Sequence, residues 1–385
     1  MARLVRIAVL ACACALALAA AAPAGAARPD PLPASQASVL DGSVMWIWML
    51  ERSSGGSPAA IAARARKHGV RTVILKAADA GSEWKQYSPA LISELKRRGL
   101  NVCGYHFVYG RIPVKEAKIS ARIARRGDCL LIDAEGQYEG RYVAAQTYIK
   151  ELRKRIGADY PVGLAPFPYV HFHGRFPYSV FLGPGGAQFN LPQMYWADIG
   201  TTVDQVFDTT YTHQRIYKRQ VYPLGQAYYS PPSKQLRRFR ALAEAYGATG
   251  VSWWSWQAAT PANFEAIGAP PEPVGSSFRQ KDRFPVLARN SRSDMVVWAQ
   301  QHLVAAGAAL KVDGILSPAT EAAISAFQTQ NGLAATGKLD AATWRKLLDR
   351  DPAAVQWTKE PGFVRPRSAR LAEVPAPAEV SRPGR

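Results

Sequence analysis

Leu130-Leu131-Ile132-Asp133-Ala134-Glu135-Gly136 is the stretch on which the reading of the fold turns. An apolar run breaks abruptly into two carboxylates separated by a single alanine. Side chains alternate along a strand, so Asp133 and Glu135 point to the same side. In parallel α/β proteins ligands bind beyond the C-terminal ends of the strands, which is where these acids would lie. A surface turn or an acidic helix cap would fit the same letters, so the surroundings decide.

Outward from this stretch, apolar, β-branched or aromatic runs recur at 45–49, 72–76, 102–109, 129–133, 161–165, 191–196, 220–227 and 250–256. Between them lie segments of helical spacing at 58–68, 89–98, 113–126, 141–156, 178–182, 203–217, 233–246 and 261–267. The segment at 178–182 is the weakest of these. Ser57-Pro58, Ser88-Pro89 and Thr260-Pro261 open helices, and Gly69, Gly99, Gly127, Gly157 and Gly247 follow them where a C-cap is wanted. The alternation predicts a (β/α)8 barrel of the TIM type over 41–268, with a doubly wound sheet as the rival. The barrel is preferred because each strand ends in polar or aromatic residues that could line one mouth: Trp46 and Trp48, Asp79, His106 and Tyr109, Asp133 and Glu135, His171, Tyr195 and Trp196, Gln226 and Tyr228, then Trp254, Trp256 and Gln257.

The flanks have other compositions. Arg3 and Arg6 precede an apolar run ending in Ala24-Gly25-Ala26-Ala27, the layout of a secretory signal peptide over 1–27, followed by a Pro-rich lead over 28–40. Export is therefore expected, with no later segment apolar enough to span a membrane. A Pro/Gly/Ser linker at 269–290 leads to a helical module at 291–350, predicted as a small three-helix all-α domain. The Pro-, Ala- and Arg-rich tail, 351–385, lacks an apolar pattern and is expected to be disordered. Cys103 and Cys129 fall at the starts of neighbouring strands, where a bridge is conceivable but not favoured by strand geometry.

The 48 Lys and Arg against 29 Asp and Glu give a formal charge of +19, and only two of those bases leave with the leader. For an exported protein this points to an anionic partner such as a cell-wall polymer. The bases are scattered, as in Arg237, Arg238 and Arg240, with no basic stripe or aromatic-basic motif of a nucleic-acid binder. A monomer is expected. His106, His171 and His173 invite a zinc reading, but no third ligand has a convincing spacing, so no metal is predicted. No phosphate loop or nucleophile elbow is present, and no cofactor is expected.

Two resemblances follow from particular residues. Val297-Trp298-Ala299-Gln300-Gln301-His302-Leu303, then Val312-Asp313-Gly314-Ile315, Phe327-Gln328, Gln330-Asn331-Gly332-Leu333, Gly337 and Thr343-Trp344 closely resemble the first family of bacterial peptidoglycan-binding domains. That implies a three-helix fold that holds the protein on the wall. Phe327 and Trp344 read as core anchors of such a module.

Asp133-Ala134-Glu135, Pro192-Gln193-Met194-Tyr195-Trp196 and Gly250-Val251-Ser252-Trp253-Trp254-Ser255-Trp256-Gln257 resemble the glycoside hydrolase family 25 lysozymes and their relatives. Chitinase-like family 18 barrels share the same grammar: acids two apart on strand four and a Tyr on strand six. The first strand, Met45-Trp46-Ile47-Trp48-Met49, lacks the Asp usual in family 25.

The resemblance implies a wall-lytic glycosidase. Its catalytic candidates are Glu135 as proton donor, Asp133 as the deeper stabiliser and Asp198 as a third carboxylate. Tyr195, Trp196, Trp254, Trp256, Gln226 and His106 are its substrate-binding candidates. A non-catalytic wall-binding protein with a degenerate barrel is the alternative.

Overall fold

The computed structural model describes residues 38–275 and 278–364. The expected signal peptide, most of the lead segment and the tail from residue 365 onward lie outside the described residues.

Eight parallel strand positions follow in order: β1 (Gly42–Ile47), β2 (Val70–Asp79), β3 (Asn101–Val108), β4 (Leu130–Ala134), β5 (Val162–Ala165), β6 (Phe189–Asn190 and Gln193–Met194), β7 (Gln220–Val221 and Leu224–Gln226) and β8 (Gly250–Trp254). Each pairs in parallel with the next, and β8 pairs with β1, so the ring closes into the expected (β/α)8 barrel. Ser82–Glu83 adds a short antiparallel strand to β2. Strands β6 and β7 are each split in two, and Trp196, expected in a strand, instead opens a short helix.

The helices are α1 (Pro58–Lys67), α2 (Pro89–Arg97), α3 (Pro113–Ala124), α4 (Tyr142–Ile156), α5 (Tyr178–Phe181), α6 (Trp196–Ile199), α7 (Val203–Gln214), α8 (Ser233–Ala245) and α9 (Pro261–Gly268). Ser57 and Ser88 cap α1 and α2 by accepting from Ala60 N and Leu91 N, and Thr260 closes a capping box on α9. Alternation along the strands separates two cores. Val44, Trp46, Ile74, Cys103, Tyr105, Cys129, Leu131 and Leu224 fill the barrel interior, whereas Leu130, Ile132 and Trp253 face the helices.

Cys103 and Cys129 form a disulfide inside the barrel with Cα atoms 4.7 Å apart. The bridge was not favoured from sequence. Both residues point inward one step before the paired Gly104 and Leu130, and that lateral spacing falls within the range a disulfide spans.

The C-terminal module comprises α10 (Asp294–Ala305), α11 (Pro318–Gln330) and α12 (Ala341–Leu347), as expected. It carries the same clasp twice. Gln300 on α10 accepts from Asp313 N and Gly314 N, and Gln328 on α11 accepts from Gly337 N, so each helix grips the turn after it. Phe327 and Trp344 are buried, and Trp344 Nε1 donates to Pro285 O.

Barrel and module share one continuous apolar core. Helix α5 has only four residues, and α10 packs against it. At the head of α10 the buried carboxylate of Asp294 accepts from Tyr142 OH (2.7 Å), Ser179 N (2.9 Å), Ser179 Oγ (2.6 Å) and Tyr217 OH (2.8 Å). Trp298 packs at a tilt against Tyr217 and donates to Ile216 O. The chain after α12 corrects the expectation of disorder as far as residue 364. Trp357 and Phe363 are buried against Tyr142, and Glu360 accepts from Tyr142 N. An apolar pattern too sparse to see in sequence thus finds its partners on α4.

Candidate active site

Strand β4 delivers the acid pair. Asp133 lies opposite Phe107 on β3 and Ala165 on β5, with its parity set by the inward Leu131. Glu135, just past the strand, lies on the same side, and the two carboxyl groups interact directly. Gln193 on β6 ties them together: its Nε2 donates to Glu135 Oε1 at 3.0 Å, to Asp133 Oδ1 at 3.5 Å and to Ala165 O at 3.2 Å.

Burial pushes both carboxyls above the usual carboxylate range, and for Asp133 the Glu135 charge adds to the effect. Gln193 and the Lys76 ammonium pull Glu135 back down. Two carboxyls in such contact cannot both ionise at low cost, so the pair holds one proton between them. The shared proton makes this a site for general acid chemistry.

The walls are aromatic. Trp254, at the end of β8, meets Trp46 and Tyr105 edge-on at 5.8 and 5.9 Å and stacks with Trp48 at 6.5 Å. Tyr195 meets Tyr228 edge-on, and burial together with the negative charge of the acid pair raises its phenol well above the ordinary value. Beneath lies Lys76 of β2, 5% exposed, its Nζ 2.9 Å from Asp79.

The other predicted site residues go elsewhere. Trp196 is buried against Phe239 and donates to Gln235 Oε1, outside the barrel. Trp256 is buried against Phe264 and donates to Ser54 Oγ, again on the helix side. His106 is likewise sealed between sheet and helices, bonded to Ser120 Oγ and Ala80 O, with burial lowering it to about 4. Trp196 and His106 are one step out of phase with the inward Tyr195 and Tyr105, whereas Trp256 shares the parity of Trp254 but lies beyond the end of β8. Gln226 is buried and supports the rim, its Oε1 accepting from Ala197 N. Asp198 is exposed on that rim and accepts from Tyr228 OH at 2.7 Å; it does not join the acid pair.

Gln193 and Lys76 were not among the predicted site residues. Parity could have found both, since Gln193 shares the side of Tyr195 and Lys76 that of the inward Ile74. Among the described residues, no group of three or more His, Cys, Asp or Glu gathers as metal ligands. His173 bonds Glu139 and stacks on Phe167, and His171 stacks on His213.

With this geometry in view, the comparisons with known proteins fall into two parts. Residues 292–347 match the family described as "Putative peptidoglycan binding domain". The module is thus a peptidoglycan-binding domain. No curated protein matches the chain. Among solved structures, the chain is similar to a GH18 chitinase from Pseudoalteromonas aurantia (15% identity, 59% of this chain and 97% of that one, TM-score 0.43). It is also similar to a chitinase from Chromobacterium violaceum (10%, 59% and 98%, 0.44) and to the spore cortex-lytic enzyme SleL of Bacillus cereus (10%, 59% and 73%, 0.43). The barrel assignment rests on strand pairing, not on these likenesses. Among the described residues no helix is long and apolar enough to cross a membrane.

Proposed function

We propose that the protein is an exported cell-wall glycosidase that cleaves the N-acetylated glycan of peptidoglycan, with its C-terminal domain holding it on that polymer. The observation that carries this reading is the pair Asp133 and Glu135, bridged by Gln193 at the mouth of a barrel joined to a peptidoglycan-binding domain.

The contact between the carboxyls also favours one mechanism. Acids that flank a sugar stand about 5 Å apart in retaining enzymes and farther apart in inverting ones. Asp133 and Glu135 sit side by side on one strand, both bonded to Gln193 Nε2, and so do not flank a sugar from opposite faces. The remaining route uses the substrate's own C2 acetamido oxygen as nucleophile at C1. Glu135, the outer acid, gives its proton to the glycosidic oxygen as that bond breaks. Asp133 stabilises the acetamido nitrogen as it becomes positive, and Tyr195 can hydrogen-bond the acetamido group. Water then opens the oxazolinium, returning a proton to Glu135. Trp254 offers the sugar a stacking face. This route demands an N-acetyl group on the sugar that supplies the anomeric carbon, and both sugars of peptidoglycan glycan meet that demand. A lysozyme-type muramidase is the finer form of this reading, in keeping with the family 25 resemblance.

The test incubates the mature protein and Glu135→Gln with purified peptidoglycan, reduces the new ends and identifies them by mass spectrometry. Release of reduced muramic ends by the parent and not the variant supports the muramidase form, and glucosamine ends point to the other linkage. No release from several wall types would defeat the hydrolase reading in favour of a non-catalytic wall binder. The absence of an acid from the first strand and the place of Asp198 on the rim favour that second reading.

A further inference from the structure

Lys76 stands out among the groups around the acid pair. Strand register sets Lys76 opposite Tyr105 and Tyr105 opposite Leu131, both in the barrel interior. Two residues farther along β3, Phe107 lies opposite Asp133 on one side and, across an irregularity in β2 between Lys76 and Ala78, opposite Asp79 on the other. Lys76 therefore occupies the layer directly beneath the one that carries both Asp79 and Asp133. Its Nζ is 2.9 Å from Asp79 Oδ2 and lies over three rings, Trp84 at 5.4 Å, Tyr105 at 5.1 Å and Phe107 at 5.0 Å. An ammonium 5% exposed in an aromatic cage is costly unless anions use it. One ion pair with Asp79 leaves two more carboxyl groups within reach of its field.

We propose that Lys76 is the positioning counter-ion of the acid pair: its ammonium, fixed by Asp79 and the aromatic cage, lets one of Asp133 and Glu135 ionise while the other keeps the shared proton. The pairing rests on geometry alone. Its catalytic meaning rests on the glycosidase reading above. Without the cation, three carboxyl groups from β2 and β4 would share one poorly solvated mouth, and the pair would hold a second proton. Asp133 would then lack the charge that stabilises a developing cation.

The groups facing the pair are few. Strand β2 and its end supply Lys76 and Asp79. The β3 side supplies Tyr105 and Tyr109, whose phenols burial and the nearby carboxylates raise. The loop after β5 supplies His173, already bonded to Glu139, and β6 supplies Gln193 and Tyr195. Lys76 is the one cationic ammonium in this set, and Tyr105 and Tyr195 remain neutral phenols because burial raises both.

The experiment follows side-chain carboxyl carbons of 13C-labelled Asp and Glu by NMR as the full-length protein is titrated, with Asp133→Asn and Glu135→Gln as assignment references. Lys76→Met is expected to raise the midpoint of the shared-proton step by at least about one pH unit. Lys76→Arg should restore it, and Asp79→Asn should lower it by removing a competing anion. An unmoved midpoint in a Lys76→Met protein with native near-ultraviolet circular dichroism would overturn the proposal. Should that variant not fold, Lys76→Gln decides in its place, and an unmoved midpoint there overturns it. Glycan release against pH is measured in parallel. An inactive parent whose titration still depends on Lys76 sinks the hydrolase reading and leaves this inference standing. An active parent with a Lys76-independent titration does the reverse.

Discussion

At the scale of single residues, Gln193 does the organising. One amide nitrogen contacts both acids and the Ala165 carbonyl, fixing two carboxyl groups that would otherwise repel each other. Replacing it by leucine keeps the volume and removes the donor. Glu135 then loses the strongest influence holding its proton affinity down, so its affinity rises further. The alkaline limb of glycan release in Gln193→Leu should therefore move to higher pH, and a profile superimposable on the parent's would refute the bridging role. Glu135→Gln removes the transferable proton itself and should lower kcat by about 10²- to 10⁴-fold, with far less change in KM. Trp254 acts by contact. Its replacement by alanine should raise KM on the order of tenfold, measured on soluble glycan fragments, and leave the pH profile in place.

Among the elements, α4 shows how remote chain completes local structure. Its N-terminus has no side-chain cap of its own, since Arg141 makes none. Glu360 supplies it from the far end of the chain, accepting from Tyr142 N while Trp357 covers the Tyr142 ring. The loop that leads into α4 begins at Glu135 and is tied by Gly140 N to Arg175 O. Glu360→Ala should cost about 1 kcal/mol, as lost caps do, and speed amide exchange at residues 142 and 143. Unchanged exchange there would show that the cap is not felt. The element pattern itself was legible in sequence. Strand and helix periodicity, Ser-Pro openings and C-terminal glycines locate the barrel's elements, down to the weak helix at 178–182, because these signals are local. Which tryptophans face the mouth was not legible, because that depends on where the strand ends. Residues 195 and 196, or 254 and 256, exchange sides with a slip of one position or a break in the strand.

For the whole molecule, Asp294 changes the picture from a tethered module to a docked one. Four donors from three parts of the barrel converge on its carboxylate. Asp294→Ala would strand those donors at a cost on the order of 3 kcal/mol, and denaturation of the parent should be a single transition that this variant splits. Two well-separated transitions in the parent would contradict the shared core. Burial raises Asp294 to about 6, above the ordinary aspartate value of 3.8. The folded state therefore binds more protons than the unfolded state between those values, so this group's contribution to stability falls as pH rises from about 4 to 6 and is flat above. Urea midpoints at pH 4.5 and 7 should show that slope in the parent, and Asp294→Asn should lack this component of it.

The sequence by itself determined the barrel, the three-helix module and the side of the strand on which Asp133 and Glu135 lie, because alternation, caps and turn residues act over a few positions. The tertiary structure decided what depends on register and closure. It bridged Cys103 to Cys129, set Gln193 across from the acids, moved Trp196, Trp256 and His106 to the helix side and left Asp198 on the rim. It also brought Lys76 beneath the carboxyl groups and seated α10 beside a barrel helix of only four residues. Neither contact has a local signature. A lysine in an apolar strand and an aspartate at the head of a helix become meaningful only when distant strands and helices supply their partners.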